Sequence, residues 1–176
     1  MNRNYFIVAA AAGLIGFTTL AADGNYDFEK SVNGSLPKGY RQIKDRWCGG
    51  TFEIVNDECG EFKKALKLVK PEEKKVVRIL MDRPRIPAKT GDQVVYEFSA
   101  KGNGALTIGY YAYNQEKSMR EFNSTFAKID SAEWKKVTLK LTVKKPGIVE
   151  ISPFFQSADA GMVISNMKVS VSTAEK

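Results

Sequence analysis

The sequence predicts an all-β fold, two antiparallel sheets stacked as a sandwich. Apolar and polar residues alternate with a period of two along short segments, most cleanly at 94–100, 104–114 and 137–143. Clusters of Gly, Pro, Asn and Asp separate those segments at the spacing of a sandwich or barrel. The one stretch that is helical on propensity, 61–69, alternates at Leu66 and Leu68 and reads as a strand.

Residues 1–22 read as a secretory signal. Arg3 gives a charged start, 6–20 is apolar, and Ala21 and Ala22 are small residues at a cleavage point. The apolar run is too short and too rich in Ala and Gly for a membrane span. No cysteine lies near the cleavage site to take a lipid anchor, and nothing later approaches transmembrane length. The expectation is an exported chain (periplasmic, cell-surface or secreted) with one domain over 23–171 and a fraying tail at 172–176.

Segment 25–29, NYDFE, opens the domain, and Gly34, Pro37 and Gly39 break the chain after it. Residues 40–47 start a strand or remain a loop. Residues 51–55 alternate, with Phe52 and Ile54 on one face, and Asn56 and Asp57 predict a turn before Cys59. A strand over 65–69 turns Leu66 and Leu68 inward. A charged loop around Pro71 leads to a strand at 76–81, and Pro84 and Pro87 keep the next stretch extended. A turn at 90–92 precedes the strand 94–100, on which Val94, Tyr96 and Phe98 share a face. Residues 101–104, KGNG, predict a hairpin loop. The central strand follows, with Leu106, Ile108 and Tyr110 on one face and Thr107, Gly109, Tyr111 and Tyr113 on the other. Residues 118–129 are mixed and read as a bulged strand, and 130–133 form a loop into Trp134. Val137, Leu139, Leu141 and Val143 point inward. Lys145, Pro146 and Gly147 make a turn, and 149–156 and 162–171 are the last strands. No repeat, low-complexity tract or second domain is visible.

Composition narrows the chemistry. His is absent from all 176 residues, which removes Ser-His-Asp and Cys-His nucleophile systems and His-based metal sites. The net charge of +7 falls by one unit when Arg3 leaves. A basic exported protein suits an acidic polysaccharide or anionic surface, although the charges are scattered along the chain. No clustered Arg with stacking aromatics marks a nucleic-acid module. Two cysteines, Cys48 and Cys59, are an even count in an exported chain and predict a disulfide. Its short loop would contribute about 2–3 kcal/mol.

The order of the segments NYDFE, KKALKLV, IPAKTGDQVVYEFSAKGNG, LTIGYYAYN, EWKKVTLKLTV and GMVISNMKVSV resembles the jelly-roll carbohydrate-binding modules of the galactose-binding-domain-like type. The resemblance spans most of the chain after the signal. It implies non-catalytic glycan binding on a sheet face or at the loops, and it places Trp134 in the core. Members often hold a structural calcium through the Glu of the opening segment and an Asp pair in the last strand. Glu29 matches the Glu, but Ser165 and Asn166 stand where the acids would be. Only a weak site near Glu29 and Asn166 remains, and no other metal or cofactor is expected. Such modules usually accompany a catalytic domain, and none is visible here.

The candidate ligand-binding residues are Trp47, Arg78, Tyr111, Tyr113, Phe154 and Gln156. Tyr111 and Tyr113 stand two apart on one strand face, their rings roughly 6–7 Å apart, which suits successive sugar faces. Either face of that strand could instead be the core. Phe154 and Phe155 point to opposite faces, so one is core and the other is exposed, covered by a loop, or a ligand contact. Trp47 sits on the loop the disulfide would stiffen. Arg41, Arg46, Arg78, Arg83 and Arg85 can read carboxylate or sulfate. Asn123-Ser124-Thr125 is a glycosylation sequon. The expected partner is a glycan, acidic glycans included. The alternative is a structural or assembly protein of the cell envelope that binds another protein. The sequence does not fix the oligomeric state.

Overall fold

A computed structural model describes residues 22–26, 28–32, 35–68 and 76–173. Residues 1–21 of the expected signal, the loop around Pro71 and the last three residues lie outside the described residues; Ala22, expected to end the signal, opens the first strand, and Ser172, expected to fray, pairs with Gln93 in the last. The strands are β1 (Ala22–Tyr26), β2 (Tyr40–Ile43), β3 (Phe52–Cys59), β4 (Phe62–Leu68), β5 (Val77–Met81), β6 (Ile86–Pro87), β7 (Gln93–Tyr113), β8 (Met119–Thr142), β9 (Glu150–Ser157) and β10 (Val163–Ser172). Every strand pairing is antiparallel.

Two sheets share the β7–β8 ribbon. The first half of β7 pairs β10, which pairs β1 and β4, and β4 pairs β3. The second half of β7 pairs β9, which pairs β5 and β6, and β5 pairs β2. The even-numbered residues of β7 face the space between the sheets: Val94, Tyr96, Phe98 and Ala100 from one, Leu106, Ile108, Tyr110 and Ala112 from the other. Ile79, Ile151, Phe155, Ile164, Met167 and Val169 are among the residues that pack with them in that core. The expected sandwich is present, and its period-two pattern is what builds it.

Continuity of the ribbon was not expected. KGNG is no hairpin, and 130–133 is no loop: Gly102, Asn103 and Gly104 pair with Ser131, Asp130 and Ile129. Gly102 and Gly104 adopt φ of +114° and +155°, and the register slips between Ala100 and Gly102. The glycines therefore bend one strand from the first sheet into the second. A Cβ on Gly104 would lie 2.5 Å from Cβ of Asp159, so the bend also needs a bare backbone.

Three local expectations are corrected. Asn56 and Asp57 lie within β3, and the turn falls at Gly60, whose φ is +63°; Asp57 instead binds the Lys101 ammonium at 2.7 Å. Trp134 is half-exposed rather than central. Its indole N–H donates to the Glu58 carbonyl at 2.7 Å, and the Lys101 ammonium lies 4.8 Å from its ring centre, so it clamps the β3–β4 hairpin. Cys48 and Cys59 are both free thiols. Cys48 precedes β3 and Cys59 ends it. An extended strand of that length covers about 23 Å, and the few residues before it can fold back by at most ~14 Å. The two Cα atoms stay beyond the ~7 Å that a disulfide tolerates. An even cysteine count is a parity argument, and the intervening strand overrides it.

Two buried phenols lock the second sheet. Tyr96 donates to the Gly109 carbonyl, and Tyr110 donates to the Glu121 carboxylate at 2.8 Å. Burial pushes both phenols above the usual tyrosine range. Glu121 is itself buried and also accepts the backbone N–H groups of Lys144 at 3.0 Å and Lys145 at 2.6 Å. The carboxylate thus fixes the corner where β8 leaves the sheet.

Candidate functional site

The outer face of the second sheet gathers most of the candidate residues. Cross-strand register sets its rows. Arg78 on β5 pairs Gln156 on β9, which pairs Thr107 on β7, which pairs Phe126 on β8. The next row is Leu80, Phe154, Gly109 and Ser124, and then come Ser152, Tyr111 and Phe122. Glu150, Tyr113 and Met119 close the series. Directly paired residues share a face, so these side chains stand together.

Phe154 is the floor. It is 0 % exposed yet lies outside the inter-sheet core. Its ring stacks on Phe122 at 5.5 Å and meets Tyr111 at 5.3 Å. Gly109 makes room for it, since a Cβ there would lie 2.7 Å from Phe154 Cζ. Of the pair Phe154 and Phe155, both are covered: Phe155 by the core and Phe154 by the site's own rings.

Arg78 lies over Phe154, its guanidinium carbon 5.4 Å from the ring centre. Its Nε donates to Gln156 Oε1 at 2.5 Å and its Nη1 to Tyr111 Oη at 2.8 Å. Burial pushes the Tyr111 phenol up, against the opposing pull of Arg78. The phenol is therefore neutral at ordinary pH. Tyr111 and Tyr113 are both half-exposed. They are not equivalent: the Arg85 guanidinium sits 3.7 Å from the Tyr113 ring centre and pairs Glu150 at 2.5 Å, which covers one face of that ring.

Trp47 is 62 % exposed, on a loop beside the start of β5. Asp45 Oδ1 accepts the backbone N–H groups of Trp47 at 2.7 Å and Cys48 at 2.8 Å, and these bonds hold the Asp45 carboxyl below the usual range. The Trp47 carbonyl accepts from Val76 N–H at 3.0 Å. This loop is stiffened by an aspartate cap and a bridge to β5, in place of the expected disulfide.

Sequence reasoning missed Phe122 and Phe126, which are 50 % and 66 % exposed. The signal was present in β8. Its inward residues near this edge are Glu121, Asn123 and Thr125, whereas Phe122 and Phe126 point outward. A strand with polar residues inside and aromatic residues outside is inverted relative to ordinary burial, and that inversion marks a contact face. Asn123 of the sequon has its amide turned inward, donating to the Thr142 carbonyl at 3.2 Å.

The residues near Glu29 do not fit a calcium ion. Glu29 Oε1 accepts the backbone N–H groups of Lys63 at 2.6 Å and Lys64 at 2.8 Å. The Lys64 ammonium donates to the Ser31 carbonyl at 2.8 Å, and a lysine cation beside Glu29 disfavours a divalent ion. Among the described residues no three acidic or Cys side chains cluster, whereas calcium takes several hard oxygen ligands.

No protein-family model matches the sequence, and no curated protein matches it. Solved structures do. The first xylan-binding domain (CBM22-1) of Paenibacillus barcinonensis Xyn10C superposes with a TM-score of 0.58 at 10% identity, over 86% of this chain and 94% of that one. The family 11 carbohydrate-binding module of Clostridium thermocellum, solved with a β-1,3-1,4-mixed-linked tetrasaccharide, gives 0.52 at 14% identity, over 88% and 98%. The enzymatically active domain of bacteriophage CBA120 tailspike protein 4 gives 0.56 at 16% identity, and there the chain covers 76% of itself but spans only 19% of its match. The fold is thus the jelly roll of carbohydrate-binding modules.

Proposed function

We propose that this protein is an exported, non-catalytic carbohydrate-binding domain that takes a poly- or oligosaccharide on the outer face of its second sheet. The observation that carries the reading is the aromatic platform itself. Tyr111 and Phe122 stand on adjacent strands over a buried Phe154, Phe126 is exposed further along the strand of Phe122, and Arg78 and Gln156 are the polar neighbours. Aromatic faces bury sugar C–H surface, and the fixed polar groups orient hydroxyls. The jelly-roll likeness to glycan-binding modules supports it. Trp47, on a loop tied by Asp45 and by the start of β5, is the pre-ordered stacking residue of this reading, which lowers the entropy lost on binding. The domain of 23–171 and the leader before it belong to this reading. Among the described residues no helix is long and apolar enough to cross a membrane.

Affinity electrophoresis over plant, algal and mucin glycans tests the proposal. Retardation by at least one polymer is expected. Tyr111→Ala should weaken it about tenfold or more, and Tyr113→Ala less, because Arg85 already covers one face of that ring. Unchanged retardation in both variants would remove the tyrosines from the site.

A second reading has its own support. Phe122, Phe126 and Met119 are exposed on a single strand, an apolar patch that also suits a protein partner in an envelope assembly. Sugar-independent co-purification with one envelope protein would favour it.

A further inference from the structure

We propose that the platform selects saccharides bearing a carboxylate, as in uronic acids, and that the Arg78 guanidinium reads that group. The inference rests on the glycan reading above and names the chemistry of its ligand.

Arg46, on the Trp47 loop, lies over that indole with its guanidinium carbon 5.0 Å from the ring centre; the arginines of the sheet itself differ in how their charge is balanced. Arg41 pairs Asp82 at 3.1 Å, and Arg85 pairs Glu150 at 2.5 Å. Both are neutralised within the protein. Arg78 differs: its partners are the Gln156 amide oxygen, the Tyr111 hydroxyl and the Phe154 ring, all uncharged. Among the described residues no carboxylate pairs with it. The Tyr111 phenol, raised by burial, supplies no counter-charge. Asp45 feels Arg78 only weakly, and its Oδ1 is committed to two backbone N–H groups.

A half-buried cation with neutral partners loses hydration without an opposing charge. A purely structural strut between Gln156 and Tyr111 would not need that charge. What the arrangement does supply is a guanidinium immobilised on three sides, with its remaining N–H donors left for a partner. A carboxylate matches those donors in plane and can be held by two parallel hydrogen bonds. The aromatic floor beneath lowers the local dielectric and strengthens that contact. The sugar ring carrying the carboxylate would then lie toward Tyr111, which Arg78 contacts directly, and toward Phe122 beside it.

The test compares matched polymers by calorimetric titration at low and moderate salt. Polygalacturonate is set against its carboxyl-reduced form, with a sulfated galactan as a third arm. Polygalacturonate should bind about tenfold or more tighter than the reduced polymer, as expected for a hydrogen-bonded charged group, and the gap should narrow with salt. Arg78→Gln should bring the two affinities together, and binding of the reduced polymer should also weaken, because Arg78 supports Tyr111 and lies over Phe154. Arg78→Lys, which keeps the charge but not the planar fork, should retain only part of the preference, and melting curves check that both variants fold. Equal affinity for the charged and reduced polymers would overturn the inference and leave the glycan reading standing. Sulfated galactan binding as tightly as polygalacturonate would overturn carboxylate selection. An Arg78→Gln variant with its preference intact would remove Arg78 from the role. No binding to any polymer would defeat the glycan reading and this inference together.

Discussion

Phe154→Ala should lower stability by about 3–5 kcal/mol and the melting temperature by roughly 10 °C. The side chain is 0 % exposed and underlies Tyr111, Phe122 and Arg78 at once. Its removal leaves a cavity under three groups rather than a gap between two. Gly109 lies directly across from it on β7, so that side of the cavity has no side chain to fill it. The platform should lose flatness together with support, and glycan affinity should fall along with stability. Phe154→Leu separates the two effects: it refills much of the volume and should recover stability better than affinity. Thermal melts paired with titration of the same glycan check both.

Glu121→Ala is the second large effect, with an expected loss of about 2–4 kcal/mol. Its carboxylate is 7 % exposed and serves Tyr110 and the backbone N–H groups of Lys144 and Lys145. Truncation strands donors that the fold has already taken from water, and removing one partner costs more than the bond itself contributed. Glu121→Gln keeps an acceptor oxygen and should recover part of the loss. Glu121 points inward, opposite to its neighbour Phe122, so the folded variant should bind glycan nearly as the unmodified protein does. Denaturant unfolding with a binding assay at low temperature checks this.

The sandwich was legible because side-chain direction in a strand has a strict period. Val94, Tyr96 and Phe98, and then Leu106, Ile108 and Tyr110, announce an inner face by alternation alone, and the structure puts all six in the core. The continuity of β7 and β8 was not legible. Gly and Asn carry the same local meaning in a hairpin and in a bend, and only the partner strand decides between them. Cys48 and Cys59 misled because parity says nothing about the strand lying between them.

The site divides in the same way. Tyr111, Tyr113, Arg78, Gln156 and Phe154 were reachable from strand phase, and the structure gathers them on one face. That Phe154 would be floor rather than contact depends on Gly109 across the ladder, a non-local fact. Phe122 and Phe126 were hidden by reading 118–129 as mixed, since a strand with polar residues inside defeats a search for apolar alternation. Trp47 was placed on a stiff loop for the wrong cause; Asp45 supplies the rigidity.

The most direct test of the central claim is backbone and aromatic chemical-shift mapping during titration with a glycan that retards the protein. The account predicts that the largest changes fall on Tyr111, Phe122, Phe126, Arg78 and Trp47, with β3 and β4 silent. Saturable changes centred instead on the β3–β4 hairpin or on the loop around Lys38 and Pro84, with the platform unmoved, would contradict it.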